Sequence, residues 1–126
     1  MKNFFKSVIP VIQCKDVKES IEFYKTKLGF DNSWAHEDLY GAAFNAEAEF
    51  HFMKSKKNFT PAYLFIIVES ADEVYEFIKS QGVEIITPPV DRFYSMRDCT
   101  VKDLNGHILT FAHEIVGREP DVPKEN

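Results

Sequence analysis

At 126 residues the chain has room for one domain, or for two small half-modules on a shared core. Hydrophobic residues make up 44%, with 12 Phe and 5 Tyr, which excludes a disordered chain and calls for a packed aromatic core. A formal net charge of −5 without a basic cluster excludes nucleic acid and anionic membrane as partners and leaves small molecules.

The first apolar run, residues 8–14, reads as a buried strand, with Pro10 marking an edge or sheet-end position. Before it, MKNFFKSVIP is too short an apolar stretch for a signal peptide. No stretch reaches the 18 apolar residues of a membrane span, so a cytoplasmic protein is expected. Asp16 and Glu19 form a capping box at the start of a helix whose face is Val17, Ile21, Tyr24 and Leu28, and Gly29 ends it. Strand-like pieces follow over 30–36, 40–45 and 49–54, separated by turns at Glu37-Asp38 and Ala46-Glu47. The charged stretch KSKKNFTP then reads as a linker.

The plan repeats with different residues. A strand is expected over 63–68, then a helix with the capping pair Ser70 and Glu73, a face of Val74, Phe77 and Ile78, and an end at Gly82. Strand pieces follow over 83–87, 94–102 and 108–114. Pro88-Pro89 is expected to open a longer loop, and Asn105-Gly106 to make a tight hairpin. Cys14 and Cys99, far apart and without CxxC spacing, are expected as buried free thiols.

The order P-V-I-x-x-x-D-V-x-x-S-I-x-F-Y-x-x-x-L-G-F at Pro10 to Phe30, with M-R-D-x-T-V-K-D-x-N-G-H-x-L-T-F at Met96 to Phe111, resembles the glyoxalase/bleomycin-resistance/dioxygenase (vicinal oxygen chelate) superfamily. The resemblance spans about residues 6–115. It implies an α+β fold in which two βαβββ modules form a curved, barrel-like mixed sheet with helices on the outer face. Residues 1–118 are expected to be a single domain, with module one over about 6–54, a linker over 55–61, module two over about 62–115 and a flexible tail over 119–126. Many such proteins are homodimers, and a homodimer is expected here.

Enzymes of this superfamily hold a divalent metal with side chains from four strand positions. The resemblance places those positions at Ile9, His51, Tyr63 and Thr110. One imidazole among an isoleucine, a tyrosine and a threonine does not make the familiar site, so no cofactor is expected and the metal-free, bleomycin-resistance-like branch is the nearest analogue. Strand parity then gives the cavity face: Ile9, Val11 and Gln13, with Glu49, His51 and Met53, in module one; Tyr63, Phe65 and Ile67, with Ile108, Thr110 and Ala112, in module two. Trp34, Phe93, Tyr94 and Met96 are candidates for an aromatic wall or lid. The ligand-binding set is therefore Ile9, Val11, Gln13, Trp34, His51, Met53, Tyr63, Phe65, Tyr94, Met96 and Thr110, and it suits a small organic ligand.

His51 is also the candidate catalytic residue, because imidazole titrates near neutrality. Two readings stay open: a protein that sequesters a small molecule, or a glyoxalase-like lyase, isomerase or dioxygenase with a rearranged divalent-metal site around His51. Glu114 is a possible carboxylate for that second site. Arg97 and Asp98 point to opposite faces, with an exposed ion pair or dimer contact as the expectation.

Overall fold

The computed structural model describes residues 2–117. The tail expected over 119–126 lies outside the described residues. Strand β1 (Val11–Cys14), helix α1 (Val17–Thr26) and strands β2 (Asn32–His36), β3 (Tyr40–Asn45) and β4 (Ala48–Lys54) make the first module. Strand β5 (Tyr63–Ile67), helix α2 (Ala71–Ser80) and strands β6 (Glu84–Asp91), β7 (Met96–Lys102) and β8 (Ile108–Glu114) make the second. The βαβββ plan is present twice. The strands form two four-stranded mixed sheets, in the orders β1-β4-β3-β2 and β5-β8-β7-β6, which are not joined into a closed barrel.

The helices form where their caps and faces are written. Asp16 accepts a hydrogen bond from the Glu19 N–H at 2.8 Å, and Ser70 accepts from the Glu73 N–H at 3.2 Å, which satisfies one orphan amide at each start. A second group, from a distant strand or turn, takes the first helical amide in each case. Asp38 accepts from Val17 N–H and the ring of His113 accepts from Ala71 N–H, both at 2.8 Å. Gly29, at φ +92°, turns the chain so that the Phe30 N–H returns to the Tyr24 carbonyl.

Val17, Ile21 and Tyr24 on α1, with Leu28 just past its end, are buried as their spacing predicts. On α2 Ile78 is buried, but Phe77 is 42% exposed and lies over Gly29 instead of in the core. The strand boundaries also differ from the reading. β1 starts only at Val11, and Val8 is exposed. Pro88 and Pro89 fall inside β6 and not in a loop. β6 is an edge strand, with register shifts between Ile85 and Thr87 and between Thr87 and Val90, so the missing proline N–H groups break no regular ladder.

One core serves both modules. Tyr24, Phe30, Phe50 and Phe52 cluster with Ile66, Ile78, Leu109 and Phe111, and the Tyr24 and Phe52 rings meet edge-on at 4.9 Å. Polar groups cross the seam as well. Tyr24 Oη donates to Asp103 at 2.7 Å, and burial, then the Asp103 charge and this bond, push its phenol well above the ordinary range. His107, 1% exposed, accepts the Ala62 N–H at Nδ1 (2.8 Å), and its Nε2 pairs with the Gln13 carbonyl at 2.6 Å. Since a carbonyl only accepts, Nε2 carries the proton.

Cys14 and Cys99 are buried and free, as expected, and burial raises both thiols, Cys99 to about 11. Among the described residues no helix is long and apolar enough to cross a membrane.

Candidate functional site

Each sheet covers its helix with one face and leaves the other open. Ile12, Cys14, Phe50 and Phe52 in the first module, and Ile66, Leu109 and Phe111 in the second, are buried on the helix side. Their neighbours of opposite parity form the open faces, and the register places them in rows. Val11, His51, Ala42 and Trp34 stand side by side across β1, β4, β3 and β2, followed by Gln13, Met53, Tyr40 and His36. In the second module the rows are Phe65, Thr110, Thr100 and Thr87, then Ile67, Ala112, Asp98 and Val90.

The first open face carries a polar and aromatic cluster. His51 Nε2 lies 2.7 Å from Glu49 Oε2, and its Nδ1 lies 2.8 Å from Tyr40 Oη. A carboxylate accepts, so Nε2–H donates to Glu49 and the Tyr40 hydroxyl donates to Nδ1. Trp34 is stacked with Tyr40 (centroids 6.0 Å apart, planes at 27°) and meets His51 edge-on at 5.3 Å. Ala42, between Trp34 and His51 in the row, is small enough to let the two rings meet above it, and it is fully buried beneath them. Trp34 remains 45% exposed, offering one aromatic surface beside the His51 ring that holds the Glu49 carboxylate.

The predicted residues fall on two surfaces and not inside one enclosed cavity. Val11, Gln13, Trp34, His51 and Met53 share the first open face, and Ile9 precedes β1 on the same parity. Tyr63, Phe65 and Thr110 share the second, with Met96 opposite Glu114 at the end of its sheet. Tyr94 lies in the β6–β7 connection, where its hydroxyl donates to Asp98 at 3.0 Å. Tyr63 is 83% exposed and Phe65 56%. A separate cleft of about 950 Å³ runs along the module seam, floored by Leu28, Phe30, Ile66, Val74 and Phe111.

Sequence reasoning missed Tyr40 as the partner of His51. The parity of β3 carried the signal, because Tyr40 and Ala42 face the same way as Met53 and His51 once β3 and β4 are paired. It also misplaced Asp98, which is buried under Arg92 and Tyr94 instead of exposed. Arg97 does point the other way, donating to Asp72 at 2.8 and 2.9 Å and to Asp91 at 3.0 Å. The bidentate bond to Arg97 holds the Asp72 carboxyl below its usual range.

The donor set does not suit a divalent metal. Of the four strand positions the resemblance marks, only His51 is an ordinary ligand, and both its ring nitrogens are committed to Tyr40 and Glu49. Among the described residues no three His, Cys, Asp or Glu side chains converge to hold an ion. These residues do not fit a site that needs three or four N, O or S donors.

The chain belongs to the Glyoxalase/Bleomycin resistance protein/Dioxygenase superfamily, whose model matches residues 7–111. It is 30% identical to bleomycin resistance proteins from Geobacillus stearothermophilus and Staphylococcus aureus, over 85% of this chain and 96% of theirs. The fold is shared with a bleomycin-binding protein from Streptomyces verticillus solved with copper(II)-bleomycin, at a TM-score of 0.72 and 19% identity over 87% of this chain and 97% of that one. It is also shared with a glyoxalase-related enzyme from Clostridium phytofermentans, at a TM-score of 0.77 and 21% identity over 90% and 98%.

Proposed function

We propose that the chain is a metal-free small-molecule binding protein that sequesters a planar or amphipathic organic compound on its open sheet faces. The observation that carries this reading is the Trp34–Tyr40–His51 cluster: an exposed indole against an imidazole whose two nitrogens are engaged by Tyr40 and the Glu49 carboxylate of its own chain. Such a surface stacks and orients a ligand but leaves no ring nitrogen for a metal. The similarity to bleomycin resistance proteins supports the same class of activity. Two buried free thiols suit a reducing compartment, which favours the cytoplasm.

The test is a panel of planar aromatic ligands followed by thermal shift and by the fluorescence of the single tryptophan. A true ligand at about 100 times its Kd is expected to stabilise the fold by about 2.7 kcal/mol. Trp34→Ala is expected to weaken it at least ~10-fold by calorimetry. A panel that shifts nothing removes the reading.

A second reading takes its support from the same cluster, in which an imidazole bridges a carboxylate and a phenol and is placed for proton transfer. Turnover of a substrate that is lost in His51→Gln, with binding retained, would move the assignment to an enzyme.

We infer further that the open faces meet a second copy of the chain along β5, with the ligand held between the two copies. Tyr63, Phe65 and Ile67 are 83, 56 and 66% exposed along β5, and covering such side chains is worth roughly 1.5–3 kcal/mol each. A two-fold dimer is expected in size-exclusion chromatography with light scattering at micromolar concentration, and Phe65→Glu is expected to shift it to monomer. A wild-type monomer there would contradict the assembly.

A further inference from the structure

The second open face carries one charged group that is held in place by the protein. Asp98 projects from β7 on the side away from α2, since Cys99 beside it is buried on the helix side and Arg97 reaches Asp72 on α2. Its side chain is 2% exposed. Arg92 Nε lies 3.1 and 3.2 Å from its two oxygens and Arg92 Nη2 lies 3.1 Å from one of them, while Tyr94 Oη donates at 3.0 Å. Burial, then the bond to Asp98 and its charge, raise the Tyr94 phenol, so the hydroxyl stays a donor.

A buried ion pair is weak grounds for stability. At a position flanked in its row by Ala112 and Val90, an apolar side chain would pack at least as well as a buried ion pair. Nor does the connection need Arg92 to close it. The Arg92 N–H already donates to the Met96 carbonyl at 2.7 Å, Ser95 N–H to the Arg92 carbonyl at 3.2 Å, and Ile115 N–H to the Ser95 carbonyl at 2.9 Å. What the Asp98 contact adds is a fixed guanidinium over the open face.

Arg97 supplies the contrast. Its Nε, Nη1 and Nη2 are all taken by Asp72 and Asp91. Arg92 is 37% exposed at the side chain and leaves Nη1 without an acceptor among the described residues. In the neighbouring row the hydroxyls of Thr100 and Thr110 lie 3.1 Å apart, with Phe65 beyond them, and Ile67 shares the row of Asp98.

We propose that Arg92 is the acid-anchoring residue of the ligand-binding face: Asp98 and Tyr94 fix its guanidinium, and its outward edge receives the carboxylate, sulfonate or phosphate of an amphipathic ligand whose apolar part lies on Phe65 and Ile67. This rests on the reading of the open faces as ligand-binding. Because Asp98 already balances the charge, recognition comes from the geometry of the donors, which a lysine does not reproduce.

Two probes of like shape separate the possibilities: anionic 8-anilinonaphthalene-1-sulfonate and neutral N-phenyl-1-naphthylamine, titrated by fluorescence. Arg92→Gln and Arg92→Lys are both expected to weaken the sulfonate about 10-fold and to leave the neutral probe within about two-fold. The double variant Arg92→Gln/Asp98→Asn, which leaves no unpaired buried carboxylate, is expected to behave the same way and guards against a folding defect. Equal loss of both probes, or no change in the sulfonate, overturns the role of Arg92 while the binding reading stands. Failure of the sulfonate alone to bind the wild-type chain overturns this inference while the binding reading stands, and failure of both probes overturns the two together.

Discussion

His107→Ala is expected to destabilise the fold by about 3–5 kcal/mol, because the ring is buried, its Nδ1 takes the Ala62 N–H within the second module and its Nε2 reaches across to the Gln13 carbonyl of the first. Truncation leaves the Ala62 N–H and the Gln13 carbonyl without partners, at about 1–3 kcal/mol each, and adds a cavity beside Phe59, whose ring stacks on His107 at 5.6 Å. Urea unfolding at pH 7 measures this as a fall in midpoint of roughly 1–5 M for a slope of about 1–3 kcal/mol/M. His107→Phe separates the contributions, since it fills the space but makes neither bond. A loss below about 1 kcal/mol for His107→Ala would show that neither bond of this ring contributes to holding the modules together.

Gly41→Ala is expected to cost about 1–3 kcal/mol, although alanine is among the smallest changes available. A Cβ on Gly41 would sit 2.7 Å from Ile21 Cδ1, 2.9 Å from Val17 Cγ1 and 2.9 Å from the Trp34 carbonyl oxygen. The two side-chain atoms can yield a little, but the carbonyl belongs to β2 in its ladder with β3. Relief therefore means moving α1 or displacing β2, and β2 carries Trp34. The melting temperature is expected to fall by several degrees. A shifted Trp34 emission spectrum would accompany the fall if β2 moves. An unchanged melting temperature would show that this approach is looser than the geometry indicates.

Much of the fold was legible because it is written in short-range terms. The capping residues Asp16 and Ser70 lie immediately before their helices, the faces of α1 recur at helical spacing, and the period of two sorted Ile12, Cys14, Phe50 and Phe52 from Val11, Gln13, His51 and Met53. What was not legible depends on pairing or docking. Pro88-Pro89 reads as a loop until β6 is known to be an edge strand with irregular register. Phe77 reads as core until Gly29 is placed beneath it.

At the site the same boundary applies. His51 and Trp34 could be found from parity and residue type, yet their meeting over Ala42, and the Tyr40 bond, follow from the register of three strands. Asp98 looked exposed because nothing local reveals that Arg92 and Tyr94 fold back over it. His107 shares its parity with the buried Leu109 and Phe111, but its bond to Gln13 exists only because the two modules dock.

The two modules differ most where one of them reaches across. Between β3 and β4 the chain turns in the two residues 46–47, whereas between β7 and β8 it takes the five residues 103–107. Asp103, Asn105 and His107 all lie in that longer connection, and through it they touch Tyr24, Ser20, Lys15 and Gln13 of the first module. Among the described residues, the two-residue turn of the first module makes no equivalent hydrogen bond to the second. A duplicated chain with this asymmetry is no longer two interchangeable copies: one half has become the keeper of the other. A change in the 103–107 turn therefore disturbs side chains of both modules, whereas a change at the two-residue turn 46–47 starts from a connection too short to reach as far.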